Sequence, residues 1–347
     1  MRKLIDKLAF AHSLEIGEYL EIIKNATAAD AAYLAEKACA EKEKHYGKEV
    51  FIRGLIEVSN ICKNDCYYCG IRKSNQNCER YRLSEDDILE CCREGYELGF
   101  RTFVMQGGED AYFTDERLVS IITKIKQNYP DCAVTLSLGE RSAESYKQLK
   151  AAGADRYLLR HETATKEHYT KLHPENLSWE KRMECLRNLR AFGYQVGCGF
   201  MVGSPYQTGE MLARELKFIE EFKPDMCGIG PFIPHKDTCF RDSAAGSVDM
   251  TCLLLSMIRL IHPTVLLPAT TALGTLSENG RERGIMSGAN VVMPNLSPAS
   301  VRKKYMLYDN KLSDGAESAQ SLEALKKRIA SIGCTVSINR GDVKKST

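Results

Sequence analysis

Residues 51–70 read Phe51-Ile-Arg-Gly-Leu-Ile-Glu-Val-Ser-Asn-Ile-Cys62-Lys-Asn-Asp-Cys66-Tyr-Tyr-Cys69-Gly70. Phe51–Val58 reads as a short buried strand, and at Ser59-Asn60 it gives way to a loop carrying three thiols in the spacing Cys-x3-Cys-x2-Cys. Downstream the same rhythm returns. Further strand-like runs lie at Thr102–Met105, Ala133–Ser137, Arg156–Leu159, Gln195–Met201, Met226–Ile229, Val265–Leu267 and Asn290–Met293. Helical patterns separate them at Ser84–Leu98, Asp115–Asn128, Ser142–Ala151, Trp179–Ala191, Thr208–Phe222, Asp249–Ile261 and Ser277–Ser287. Several of these open on a Ser, Thr or Asp suited to cap the first turn.

Strands alternating with amphipathic helices make a parallel α/β fold, and eight such units in one domain predict a (β/α)8 TIM-type barrel. A doubly wound sheet competes, but no G-x-G-x-x-G follows the first strand. Residues 1–50 and 301–347 are expected as N- and C-terminal helical extensions flanking a core at 51–300. Polar and Gly-rich segments repeatedly follow the strands, among them Gly107–Asp110, His161–Thr163, Gly230–His235 and Thr270–Thr275. In a parallel barrel such loops gather at one mouth, where these folds build their sites.

Composition excludes several classes. Of 347 residues, 48 are Lys or Arg and 46 are Asp or Glu, so no net field recruits nucleic acid or an anionic membrane. Charges interrupt the apolar positions of the first helix, and no apolar run is long enough to span a bilayer. A cytoplasmic protein is expected. The 14 cysteines are scattered through a large chain, which favours reduced thiols over a disulfide framework.

Three thiolates in one loop can converge on a soft metal centre. Structural zinc needs four closed ligands, and the nearest fourth cysteine is Cys78, across a basic segment. Three cysteines leave one iron of a [4Fe-4S] cluster without a protein ligand, open to a chelating cofactor. A zinc knot completed by Cys78 and an iron–sulfur electron carrier are the alternatives.

The Cys62/Cys66/Cys69 spacing, with Tyr68 before the last cysteine, resembles the signature loop of the radical S-adenosylmethionine (SAM) superfamily. That resemblance implies one [4Fe-4S] cluster on these cysteines, with SAM chelating the open iron and a reducing electron donor outside the chain. Gly107, Gly108 and Glu109 resemble the motif for the SAM amino group. Glu162 would take the ribose or the amine, Arg182 the carboxylate, and Ile229 would back the adenine.

Longer segments are similar to the HydE family of [FeFe]-hydrogenase maturases: Tyr157-Leu-Leu-Arg-His-Glu-Thr163, Pro268-Ala-Thr-Thr-Ala-Leu-Gly-Thr275 and Gly288-Ala-Asn-Val-Val-Met-Pro-Asn295 among them. This second resemblance implies a sulfur-containing organometallic iron–cysteine precursor as substrate, and other hydrogenase maturases as partners. Arg160, Thr270 and Thr271 then match substrate-anion positions, and Tyr305 and Tyr308 match cavity aromatics. Some members carry a second iron–sulfur site on C-terminal cysteines. Residues 312–324 contain none, and Cys334 stands alone beyond them, so a single cluster is expected. Methylornithine synthase, a radical SAM mutase, is the enzymatic alternative, and biotin synthase a more distant one.

Overall fold

The computed structural model describes residues 1–313 and 318–344. Residues 314–317, part of the cysteine-free stretch noted above, lie outside the described residues. Three helices open the chain: α1 (Arg2–Ala11), α2 (Ile16–Asn25) and α3 (Ala28–Tyr46). At the start of α3 the Thr27 hydroxyl accepts from Asp30 N–H while the Asp30 carboxylate accepts from Thr27 N–H, a reciprocal box that fixes the entry turn.

The barrel units follow. The first half holds β1 (Glu49–Ile52), β2 (Gly54–Ser59), α4 (Glu85–Glu97), β3 (Thr102–Gly107), α5 (Asp115–Asn128), β4 (Ala133–Ser137), α6 (Ala143–Ala151) and β5 (Arg156–Leu158). Next come α7 (Lys166–Leu172), α8 (Trp179–Ala191), β6 (Gln195–Cys198), β7 (Met201–Val202), α9 (Gly209–Phe222), β8 (Met226–Cys227) and β9 (Gly230–Pro231). The remainder is α10 (Val248–Ile261), α11 (Thr271–Leu276), α12 (Gly280–Ile285), β10 (Val291–Val292), α13 (Ala299–Arg302), α14 (Leu322–Ser331) and β11 (Thr335–Ser337).

Strands β2-β3-β4-β5-β6-β8 form one parallel sheet in that order. Parallel bridges then carry the ring round, from Met226 to Leu266, from Pro268 to Val291, and from Asn295 back to Leu55. The architecture is therefore the expected α/β barrel. Every residue of β2 is buried, as expected of a strand in a sheet covered on both faces.

Several boundaries differ from the sequence reading, each for a local reason. Phe51–Val58 breaks at Arg53, because β1 pairs with β10 and β11 while β2 pairs with β3. Gln195–Met201 breaks at Gly199, whose φ of +153° suits glycine and where a Cβ would stand 2.0 Å from the Gly228 carbonyl oxygen. Met226–Ile229 ends at Cys227, and Val265–Leu267 is held by bridges instead of a regular ladder. The loop after it carries α11, and the helix expected from Ser277 begins at Gly280. Helix α7 was not foreseen. The C-terminal extension contains β11 as well as helix, so it is not purely helical.

That extension also stoppers the barrel floor, the end where the strands begin. Arg156, fully buried at the start of β5, donates from Nη2 to the Arg340 carbonyl at 2.9 Å and to Asp342 Oδ1 at 2.6 Å. Its Nη1 reaches Thr102 Oγ1 at 3.0 Å and its Nε reaches Gln195 Oε1 at 3.1 Å. On the outer wall, α2 packs along α9, and Ser13 and Tyr19 both donate to Glu220. Among the described residues no helix is long and apolar enough to cross a membrane.

Candidate active site

The cysteine loop is built at the opposite end. Asn60, fully buried, takes Tyr81 N–H on its Oδ1 and donates from Nδ2 to the carbonyls of Glu79 and Lys304 at 2.8 and 2.7 Å. The loop backbone is then tied outward: Lys63 N–H to the Glu109 carbonyl, Tyr67 N–H to that of Leu172, and Gly70 N–H to that of Leu307. Three neighbouring segments thus fix where the thiols sit.

Burial raises the Cys62 thiol, and the Glu109 N–H points at its sulfur from 3.4 Å. Burial, then proximity to Cys69 and Cys62, lifts the Cys66 thiol well above its ordinary range. Cys69 is pushed up to about 12 by burial and next by Cys62. The three sulfurs therefore feel one another. Such crowding disfavours thiolates until a cation shares the site, and then it favours them. Among the described residues no three His, Cys, Asp or Glu donors are set to hold a single metal ion, and Cys78 is instead beside Asn60 Nδ2 at 3.5 Å.

A cavity of about 330 Å3 opens beside the thiols, and all three cysteines line it. So do Tyr68, Gly107, Gly108, Glu109, Glu162 and Arg182. Arg160, Thr270, Thr271, Tyr305 and Tyr308 line it too. Ile229 does not: it is fully buried in the core, and its successors Gly230 and Pro231 face the cavity instead.

Close approach explains the glycines. A Cβ on Gly108 would lie 2.3 Å from the Ile61 carbonyl oxygen and 2.8 Å from Cys62 Cβ, and one on Gly230 would lie 2.6 Å from Thr270 Oγ1. Tyr68 donates its hydroxyl to His173 Nε2 at 3.2 Å, since His173 Nδ1 is committed to the Tyr169 carbonyl at 3.0 Å. Burial, and next Arg182, push His173 down to about 3, so the imidazole is neutral and can accept.

The charged groups are arranged in pairs. Lys63 Nζ stands 3.0 Å from Glu109 Oε2, and Arg160 Nη2 stands 3.4 Å from Glu162 Oε2. Arg182 donates from Nε to Glu140 Oε1 at 2.5 Å and from Nη1 to the Arg160 carbonyl at 2.6 Å. Deeper down, Lys311 Nζ meets the fully buried Glu57 at 2.7 Å, and Asn295 Nδ2 holds the other carboxylate oxygen at 2.9 Å. Both members of this pair line the cavity, and the sequence reading missed them. The signal was present: a lone carboxylate inside the apolar run of β2 must find a buried cation. By contrast, Arg160 Nε and Nη2, Glu162 Oε2 and Thr270 Oγ1 are buried with no hydrogen-bond partner among the described residues, Arg160 and Glu162 meeting only as an ion pair at 3.4 Å.

The chain resembles known proteins across most of its length. The model of the radical SAM superfamily matches residues 56–219, which run from β2 through the cysteine loop to α9. The maturase subunit HydE of Thermotoga maritima is 42% identical over 292 residues, 84% of this chain and 83% of that protein. The 3-methylornithine synthase of Methanosarcina acetivorans is 27% identical over 94% of this chain and 89% of its own length. Among solved structures, methylornithine synthase (PylB) superposes with a TM-score of 0.83 at 24% identity, covering 96% of this chain and 97% of that one. The maturase HydG of Carboxydothermus hydrogenoformans gives 0.80 at 19% identity over 97% and 79%, a likeness of fold alone. A thiol-lined barrel mouth and an identity of 42% across most of both chains lead to one conclusion: this chain belongs to the HydE family of [FeFe]-hydrogenase maturase subunits, within the radical SAM superfamily.

Proposed function

We propose that the chain acts in assembly of the [FeFe]-hydrogenase cofactor, by radical SAM chemistry on a small sulfur-containing organometallic iron–cysteine complex. Cys62, Cys66 and Cys69 would hold a single [4Fe-4S] cluster, and the donor chemistry fits: three half-buried thiols on one short loop, with Cys78 turned towards Asn60. When bound, the cluster and SAM supply reductive cleavage of the sulfonium to a 5′-deoxyadenosyl radical. The chain's own share is to bind, orient and shield.

Glu109 would receive the SAM amino group, exchanging its exposed Lys63 partner for a buried one; exposed ion pairs are weak and give way readily. Arg182, braced by Glu140, would face the SAM carboxylate, and Glu162 the ribose. Gly107 and Gly108 would let the backbone come close, Tyr68 would wall the nucleoside, and Gly230 and Pro231 would take the place expected of Ile229.

The observation that carries the substrate class is the pairing pattern. Each cavity carboxylate already faces a cation: Glu57 with Lys311, Glu109 with Lys63, Glu162 with Arg160. The atoms left without a hydrogen bond among the described residues are two Arg160 nitrogens, the Thr270 hydroxyl and Glu162 Oε2, and the one acid among them is held by the Arg160 cation at 3.4 Å. Such a site suits an anion such as a substrate carboxylate, with Thr271, Tyr305 and Tyr308 completing the wall. A lysine substrate, as in the mutase reading, would need a spare acid for its side-chain ammonium. Electron donor and companion maturases would approach from the same mouth.

The test is anaerobic reconstitution with iron and sulfide, followed by assay of 5′-deoxyadenosine with and without an iron–cysteine–carbonyl–cyanide complex. We expect the complex to be consumed as deoxyadenosine forms. Rearrangement of lysine, with the complex untouched, would replace this reading by the mutase.

A further inference from the structure

Glu162 has a backbone φ of +65°, in the left-handed region that a residue with a Cβ enters only when its surroundings enforce it. The enforcement comes from both flanks. Its own N–H donates to the Gly199 carbonyl at 3.0 Å, and Gly199 N–H returns a bond to His161 Nδ1 at 3.2 Å. Because Nδ1 accepts, the imidazole proton is on Nε2, which donates to Glu215 Oε2 at 2.7 Å. The other Glu215 oxygen accepts from Ala164 N–H at 2.8 Å. His161 and Glu215 are both completely buried. One carboxylate on α9 thus grips the chain on either side of Glu162, one residue before it and two residues after.

We propose that Glu215 is a positioning residue for SAM binding, which sets the Glu162 carboxylate by clamping residues 161–164. The inference rests on the reading of Glu162 as a nucleoside-binding group. Only a carboxylate serves both bonds. A glutamine offers one acceptor oxygen and one NH2 group, so it must drop either the Ala164 bond or the His161 bond. Phe200 and Phe218 close over the imidazole, with ring centroids 5.9 and 4.5 Å away, so no water can substitute for the lost partner without displacing them. With the clamp half open, the left-handed turn can relax and Glu162 swings from its place in the wall.

The test uses the anaerobically reconstituted full-length protein and reads SAM dissociation constant, iron content and melting temperature together. Glu215→Gln should weaken SAM binding about tenfold, as loss of an orienting partner commonly does, with iron content retained and kcat at saturating SAM little changed. A lower melting temperature with unchanged SAM affinity would mean that the pair only supports the fold, and would overturn the proposal. The double variant His161→Leu/Glu215→Leu removes the buried polar pair altogether, which restores stability more readily than removal of one partner. It should still bind SAM weakly; full recovery of affinity along with stability would also overturn the proposal. Glu162→Gln separates the two levels. If it leaves SAM affinity unaltered, the reading of Glu162 fails and this inference with it. If it weakens binding while Glu215→Gln does not, the clamp alone fails.

Discussion

Arg156 opens strand β5 and Arg160 lies two residues beyond its far end, and the two have opposite fates. At the floor Arg156 is fully buried and every guanidinium nitrogen has a partner: Gln195, Thr102, the Arg340 carbonyl and Asp342. At the mouth Arg160 leaves both Nε and Nη2 buried without a hydrogen bond among the described residues, with Glu162 Oε2 facing Nη2 only as an ion pair at 3.4 Å. A buried donor without an acceptor costs about 1–3 kcal/mol. A chain that satisfies one arginine so thoroughly and leaves its neighbour short has placed the deficit where a ligand can make it good.

The comparison can be broken in order of effect. At the mouth, replacing Cys62, Cys66 or Cys69 with Ala should abolish 5′-deoxyadenosine formation and cut bound iron sharply; retained SAM cleavage in any one of the three would refute the ligand assignment. At the floor, Arg156→Met should lower unfolding free energy by about 3 kcal/mol, the low end for a broken buried pair because Asp342 keeps Arg340. Denaturant titration reads this, and SAM affinity should hardly move. Arg160→Met should do the reverse: affinity for the anionic substrate falls about 10- to 100-fold, the worth of a charge-assisted bond, while the denaturant midpoint stays near that of the parent.

Acid should act on the whole molecule. Burial, and next Arg182, hold His173 at about 3, and burial, and next Arg259, hold His262 at about 4. In the unfolded chain both take protons near pH 6.5. The unfolded state then binds more protons, so stability is full above about pH 6.5 and falls as pH drops towards 4 and 3. Urea midpoints measured from pH 7 down to pH 5 check the sign. A flat profile would mean that these imidazoles are not held neutral. Smallest of all, Lys63→Met removes an exposed partner of Glu109 and should change stability by less than about 1 kcal/mol.

The alternation of strands and helices was legible because parallel barrel strands are short apolar runs between amphipathic helices. The cysteine loop was legible because its chemistry lies within eight consecutive residues. What escaped was whatever depends on residues far apart in the chain. Glu57 meets Lys311 across 254 positions, and Arg156 meets Asp342 across 186. Neither partner can be chosen from local pattern. Ile229 was misplaced because strand β8 stops at Cys227, where Gly199 and Gly228 crowd together, and the alternation of faces is lost beyond that point. Short α7 was hidden by its own brevity, although its end carries the His173 that holds Tyr68.

The tail seated under the strands has a consequence for traffic. With the strand-start end plugged by Arg156, Arg340 and Asp342, the spent nucleoside, the methionine and the altered metal complex of the proposed chemistry would leave by the mouth through which they came. Exit and entry would then share the passage beside the cysteine loop, and product release would set the pace of turnover as readily as bond breaking.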